Sequence, residues 1–163
     1  FYFALYYSIL LCMRHEQHIL TIQTHRQREI IDVTQAVNQN LPLGQKPVSR
    51  YTLRPKEENT LPHNGLCSLF ITHTTAAITT ADLDPGTDLD MLDAFEEMVP
   101  KLNYRHPHDP NHVPDHIISS LIGSSLTIPI KGGKLILGTW QRVILVEFDG
   151  PRERDIIIST LYD

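Results

Sequence analysis

Histidine is the chemical peculiarity of this chain: five of its nine histidines lie between His73 and His116, and His106, His108, His112 and His116 fall within eleven residues. Imidazoles titrate near neutrality and ligate metals, so this clustering points to a metal centre or a proton-transfer site. No pair has the spacing of a zinc finger or of the helical HExxH pattern, so spacing alone does not choose the ligands. His108 and His112 read equally well as solvated loop side chains. His73 interrupts an apolar, strand-like run just ahead of Thr74 and Thr75, where burial would oblige its ring nitrogens to find partners. The competing reading of His73 is a hydrogen-bonded core histidine. His116 falls on a short helix after Pro114, opposite some of its apolar neighbours, and from there could point back at the strand end.

Other polar groups give weaker signals. Asp82, Asp84, Asp88 and Asp90 precede and open a helical stretch, where carboxylates cap N–H groups and complement the dipole. A Mg²⁺ role would need several convergent oxygens. Trp140 and Gln141 follow Gly138 between two strands and read as a packed aromatic with a hydrogen-bonding neighbour. The stretches LIGSS and KGGK lack both the GxxxxGK[ST] and the GxGxxG form. KGG reads as a hairpin turn. In LIGSS, a helix ending at Gly123 leaves two hydroxyls, Ser124 among them, near the histidine loop.

Those side chains need elements to hold them. The runs ILTI and EIIDV, between Ile19 and Val33, read as two strands joined by a turn, and Thr34 offers an N-cap for a short helix. Leu41 to Asn64 contains four prolines and reads as a long surface loop. GLCSLFITHTTAAITT reads as two short strands, or one bent strand broken at His73. Helical spacing follows from about Gly86 to Val99, with Pro100 as terminator, and a second helix runs from Pro114 to Gly123. After it, β-rich runs alternate with turns to Tyr162, as in an antiparallel strand series. Strands and helices mix without regular βαβ alternation, so the expected class is α+β, an antiparallel sheet or sandwich with a few helices.

At 163 residues the chain fits one domain, long enough to bury about two thirds of its unfolded surface. A net charge of −5 with scattered Lys and Arg disfavours a nucleic-acid partner. Cys12 and Cys67 are the two cysteines, which suits a reducing, cytoplasmic setting better than a disulfide framework. Residues 1–12, FYFALYYSILLC, are too short for a spanning helix and lack the features of a signal peptide, so no membrane role is expected. They are expected to lie outside a single folded domain of residues 13–163.

Taken together, the motifs resemble the YjbQ family of secondary thiamine-phosphate synthases. HTTAA resembles its HTS/TA signature and DPGTDLDM its DPxxxxDM stretch. NYRH with PDHIISSLIGSSLTIPI resembles its second histidine block, and GTWQRVILVEFDGPR its third motif. The similarity runs in order from about Gln17 to Leu161. It departs at Ala81-Asp82, where many members carry Asn-Glu, in the longer Leu41–Asn64 loop, and at the extra His108 and Asp109.

The resemblance implies a homotrimeric α+β protein with a site lined by His73, His106 and His116; Asp84, Asp90, Trp140 and Gln141 also match. The implied activity joins a thiazole phosphate to hydroxymethylpyrimidine diphosphate with release of diphosphate. That chemistry needs the leaving group's charge neutralised. The expected arrangement puts a divalent metal, zinc or magnesium, on His73, His106 and His116, with Thr74, Ser124, Arg152 and Arg154 contacting the phosphorylated substrate. Two rivals use the same residues: a metal-dependent hydrolase whose ion activates water, and a non-catalytic trimeric module that binds an anionic small molecule.

Overall fold

The computed structural model describes residues 13–42 and 64–163. The expected N-terminal extension and most of the expected Leu41–Asn64 loop lie outside the described residues. Among the described residues, eight strands form two antiparallel sheets.

The larger sheet contains β1 (Arg14–Gln23), β3 (Gly65–Ile71), β5 (Ser125–Lys131), β6 (Lys134–Leu135) and β8 (Glu153–Tyr162), in the order β1-β8-β3-β5-β6. Along β8, buried Arg154, Ile156, Ile158, Thr160 and Tyr162 alternate with more exposed residues, the period-two pattern of a sheet with one buried face. The smaller sheet contains β2 (Glu29–Asp32), β4 (Ala76–Ala81) and β7 (Arg142–Glu147), with β7 in the middle. Every residue of β7 from Val143 to Glu147 is buried, because both faces of this sheet are covered. One face meets the larger sheet through Ile78, Val143 and Leu145, packed against Leu69, Ile71, Ile156 and Ile158. The other, carrying Ile144, Val146 and Phe148, is covered by Leu92 and Phe95 of one helix and Ile118 of another.

Those helices are α2 (Thr87–Met98) and α3 (Val113–Ile122); the short α1 (Thr34–Gln39) buries Val37 in the core between the sheets. Asp88 and Asp90 occupy the first turn of α2, where they complement its dipole as expected. Pro114 stands in the first turn of α3, and Gly123 ends it with φ 117°. The KGG hairpin turn is also present, with Gly132 and Gly133 at φ 63° and 73°, the left-handed region that favours glycine.

Consecutive strands do not stay together. β1 pairs with β8 through Ile19↔Ile157, whereas β2 pairs with β7 through Ile31↔Leu145. The run broken at His73 likewise becomes two strands in different sheets, β3 and β4. The crossing at residues 72–75 therefore lies between the layers and beside the β7–β8 connection, where Phe148 N–H donates to Thr75 C=O at 3.1 Å and Thr72 N–H to Asp155 C=O at 3.2 Å. Among the described residues no helix is long and apolar enough to cross a membrane.

Candidate functional site

The crossing, the start of α3 and the β7–β8 connection enclose a hollow of about 300 Å³, lined by Thr72, His73, Thr74, Thr75, His112, His116, Asp149, Arg152 and Arg154. Its floor is a buried ion pair. Arg154 donates from Nε to Glu147 Oε2 at 2.6 Å and from Nη2 to Glu147 Oε1, with both side chains almost fully buried. Arg154 Nη2 also donates to Thr75 Oγ1 at 2.9 Å, while Glu147 accepts from Thr24 Oγ1 at 3.0 Å and from Asp149 N–H at 2.8 Å. A buried pair survives only when its remaining hydrogen-bonding capacity is met, as here. Gly150 permits the close approach of the next turn, since a Cβ there would lie 2.2 Å from Arg26 O and 2.9 Å from Glu147 Cγ.

The histidines differ in which nitrogen is engaged. His73 Nε2 accepts from Asp155 N–H at 2.9 Å, so the neutral ring carries its proton on Nδ1. Burial, then the nearby Arg154 charge, holds its pKa below the ordinary value of 6.5 and keeps it neutral. His106 Nδ1 accepts from Asp109 N–H at 3.3 Å. His116 has the opposite arrangement: Nδ1 lies 3.1 Å from Thr74 C=O, an acceptor, so Nδ1 carries the proton and Nε2 keeps a free lone pair. His116 thus points back at the strand end, and the His106 ring stacks on it at 5.8 Å.

The expected residues therefore separate. His73, Thr74, His116, Arg152 and Arg154 meet in the hollow, with His106 alongside. Arg154 is neutralised by Glu147, whereas Arg152 is half exposed and donates to Asp149 from Nη2 at 2.6 Å. Ser124 lies elsewhere: it is exposed, and its carbonyl accepts from Ile71 N–H. Asp84 and Asp90 are exposed at the start of α2 and line neither this hollow nor the groove described next. Gln141 lines a second, wider groove at the opposite end of β4 and β7, donating from Nε2 to Thr80 Oγ1 at 3.4 Å. Trp140 is 67% exposed and is not the packed aromatic that its neighbours in sequence would give.

The sequence reading missed Glu147, Thr24, Asp149 and Asp115 and left His112 undecided. The signal for Glu147 was present, as a single carboxylate inside the apolar run RVILVE. His112 Nε2 is shielded from solvent; Asp149 Oδ2 lies 2.8 Å away but out of line with the ring N–H, so no hydrogen bond forms. With Asp115 these two form a group whose ligand atoms lie within 4.8 Å of one another and could hold a metal ion. Asp115 is buried, which raises its pKa against the opposing pull of Arg28, whose Nη2 lies 3.2 Å from Oδ1. His73 and His106 fit a shared metal poorly, because each already spends a ring lone pair on a backbone N–H.

Comparison with known proteins places this geometry. The sequence pattern of the family described as "UPF0047 protein YjbQ-like" matches residues 18–163. The chain belongs to that family. A UPF0047 protein of Archaeoglobus fulgidus is 33% identical over 143 residues, covering 87% of this chain and 98% of the relative. The UPF0047 protein YugU of Bacillus subtilis is also 33% identical over 143 residues, covering 87% and 96%. Among solved structures, a YbjQ-like protein of unknown function from Sulfolobus solfataricus superposes with a TM-score of 0.75 at 29% identity, covering 93% of this chain and 99% of that one. The two-sheet architecture with its few helices is thus that of the YjbQ-like family.

Proposed function

We propose that the hollow binds a phosphorylated small molecule and that the chain is a transferase of the thiamine-phosphate-synthase kind. In this reaction the ring nitrogen of a thiazole phosphate attacks the methylene carbon of hydroxymethylpyrimidine diphosphate. A C–N bond forms, the C–O bond to diphosphate breaks, and diphosphate leaves. The observation that carries the reading is the convergence of anion-binding groups: the exposed guanidinium of Arg152, the hydroxyls of Thr72 and Thr74, and the His73 ring, whose protonated Nδ1 makes it a donor. Donors fixed before the reaction stabilise a leaving anion without reorganising. His116 Nε2, an acceptor, would hold the amine of the pyrimidine.

A hollow of about 300 Å³ accommodates a diphosphate with part of one organic group, at the lower edge of ligand-pocket sizes. The reading therefore includes a homotrimer whose neighbouring chain covers the open side. The exposed apolar rows Ile19, Phe70, Leu66 and Leu161 on the outer face of the larger sheet support an assembly. A cytoplasmic setting completes it, supported by Cys67, a free, buried thiol pushed up to about 12. A divalent cation, zinc or magnesium, would supply counter-charge to the leaving group. Metal-dependent hydrolysis of a phosphate ester is the second reading, favoured by the free Nε2 of His116 beside the His112 group.

Diphosphate release from the two precursors is the test. Release that needs both precursors and falls by about 10²-fold or more in Arg152→Ala and His116→Ala supports the transferase. Release from a simple ester alone supports the hydrolase, and binding without turnover leaves an anion-binding module.

A further inference from the structure

We propose that a divalent cation of the zinc class is held by His112, Asp115 and Asp149, on the wall of the hollow, and not by His73, His106 and His116. The donors of the proposed set already lie within 4.8 Å of one another. Tetrahedral bonds of about 2.0–2.2 Å place ligand atoms roughly 3.3 Å apart, so rotation of three side chains closes the set. His112 Nε2 is the decisive atom. It is shut off from water and has no hydrogen-bond partner, although it faces the Asp149 carboxylate at 2.8 Å. Opening this contact from 2.8 Å to roughly 3.3 Å would let one ion satisfy the nitrogen together with the carboxylates.

The surroundings have the form of a supporting shell. Asp115 Oδ1 is held by Arg28 Nη2 at 3.2 Å, and Asp149 Oδ2 by Arg152 Nη2 at 2.6 Å. Asp115 is thereby oriented through one oxygen and keeps the other, while Asp149 Oδ2 lies between Arg152 Nη2 and His112 Nε2. Arg28 is itself fixed by Glu96 of α2 at 2.8 Å, which ties the set to both helices. One imidazole and two carboxylates suit zinc, manganese or ferrous iron better than magnesium, which prefers oxygen and water. His112 and Asp149 both line the hollow, so an ion there keeps an open position towards a bound phosphate. Of the rival set only His116 keeps a free lone pair: His73 Nε2 and His106 Nδ1 each accept a backbone N–H.

The placement rests on the proposed reaction only for its use, and its test reads metal rather than turnover. The full chain is stripped with a chelator, titrated with ZnCl₂ in a calorimeter, and assayed for zinc by elemental analysis. The expected result is about one zinc per chain, with affinity reduced more than 100-fold in His112→Ala and Asp115→Asn. His73→Ala and His106→Ala should stay within a few-fold of wild type, because loss of a supporting partner costs at most roughly 10–100-fold and these are not even that. Zinc should raise the thermal midpoint of wild type and not of His112→Gln, while the metal-free proteins melt alike, which separates lost ligation from misfolding. Zinc binding kept in His112→Ala but lost in His73→Ala would overturn the placement. So would metal-free, non-zinc-binding wild type that still releases diphosphate, an outcome that leaves the proposed reaction standing.

Discussion

The paired strands β4 and β7 carry a polar cleft at each end, and the two are built differently. At the Ala76/Glu147 end, charged groups are buried and cross-linked: Arg154, Glu147, Thr24 and Thr75 satisfy one another beneath the histidines. At the Ala81/Arg142 end, a groove of about 590 Å³ is lined by Asp32, Asn38, Lys134, Gln141 and Arg142. There the ion pair Arg142–Asp32 is long, at 3.9 Å, and both partners are about 40% exposed or more. Apolar residues at the first end would give comparable stability without desolvating two charges. A charged floor kept under clustered titratable groups is what a chemical task requires, whereas solvent already satisfies the second end.

The comparison is broken most easily at its buried half. Glu147→Ala strands the Arg154 charge in the interior and should cost about 3–5 kcal/mol in denaturant unfolding; a loss below 1 kcal/mol would mean that the pair is solvated. Gly150→Ala drives a methyl group towards Arg26 O, Glu147 and Thr24. A destabilisation of about 1–3 kcal/mol, or more, is expected by the same measurement. Neutral behaviour would show that this connection yields freely.

A smaller, pH-dependent effect belongs to His73. Its pKa is depressed in the folded state, so its contribution is present above the ordinary value of 6.5 and is lost as the pH falls below it. The thermal midpoint of wild type should drop more steeply below pH 6.5 than that of His73→Gln, whose amide oxygen can accept the Asp155 N–H without titrating. Parallel curves would remove His73 from the pH response. Smallest of all, Arg142→Ala at the open end should change stability by about 0–1 kcal/mol, as exposed pairs do.

What the sequence made legible is what depends on nearby residues. The helices bounded by Pro100 and Gly123, the KGG turn, the β-rich runs and the backward aim of His116 all follow from spacing and caps. Which sheet each strand joins does not, because β1 finds its partner β8 more than a hundred residues away. The site follows the same rule. His73 and His116 stood out by type, whereas Glu147 joins the candidate site only through its contacts with Arg154, Thr24 and Asp149, and Asp115 only through Arg28 and His112. Ser124 looked well placed because it is near the histidine loop in sequence, yet it immediately precedes β5, pairs through its carbonyl with Ile71 of β3, and does not line the hollow.

Which end takes the anion is settled most directly by titrating diphosphate into wild type, Arg152→Ala and Arg142→Ala by calorimetry. Loss of the charge-assisted contact at Arg152 should weaken binding by about tenfold or more, and Arg142→Ala should bind within about twofold of wild type. Weakened binding in Arg142→Ala with none in Arg152→Ala would move the anion site to the open groove and contradict the assignment.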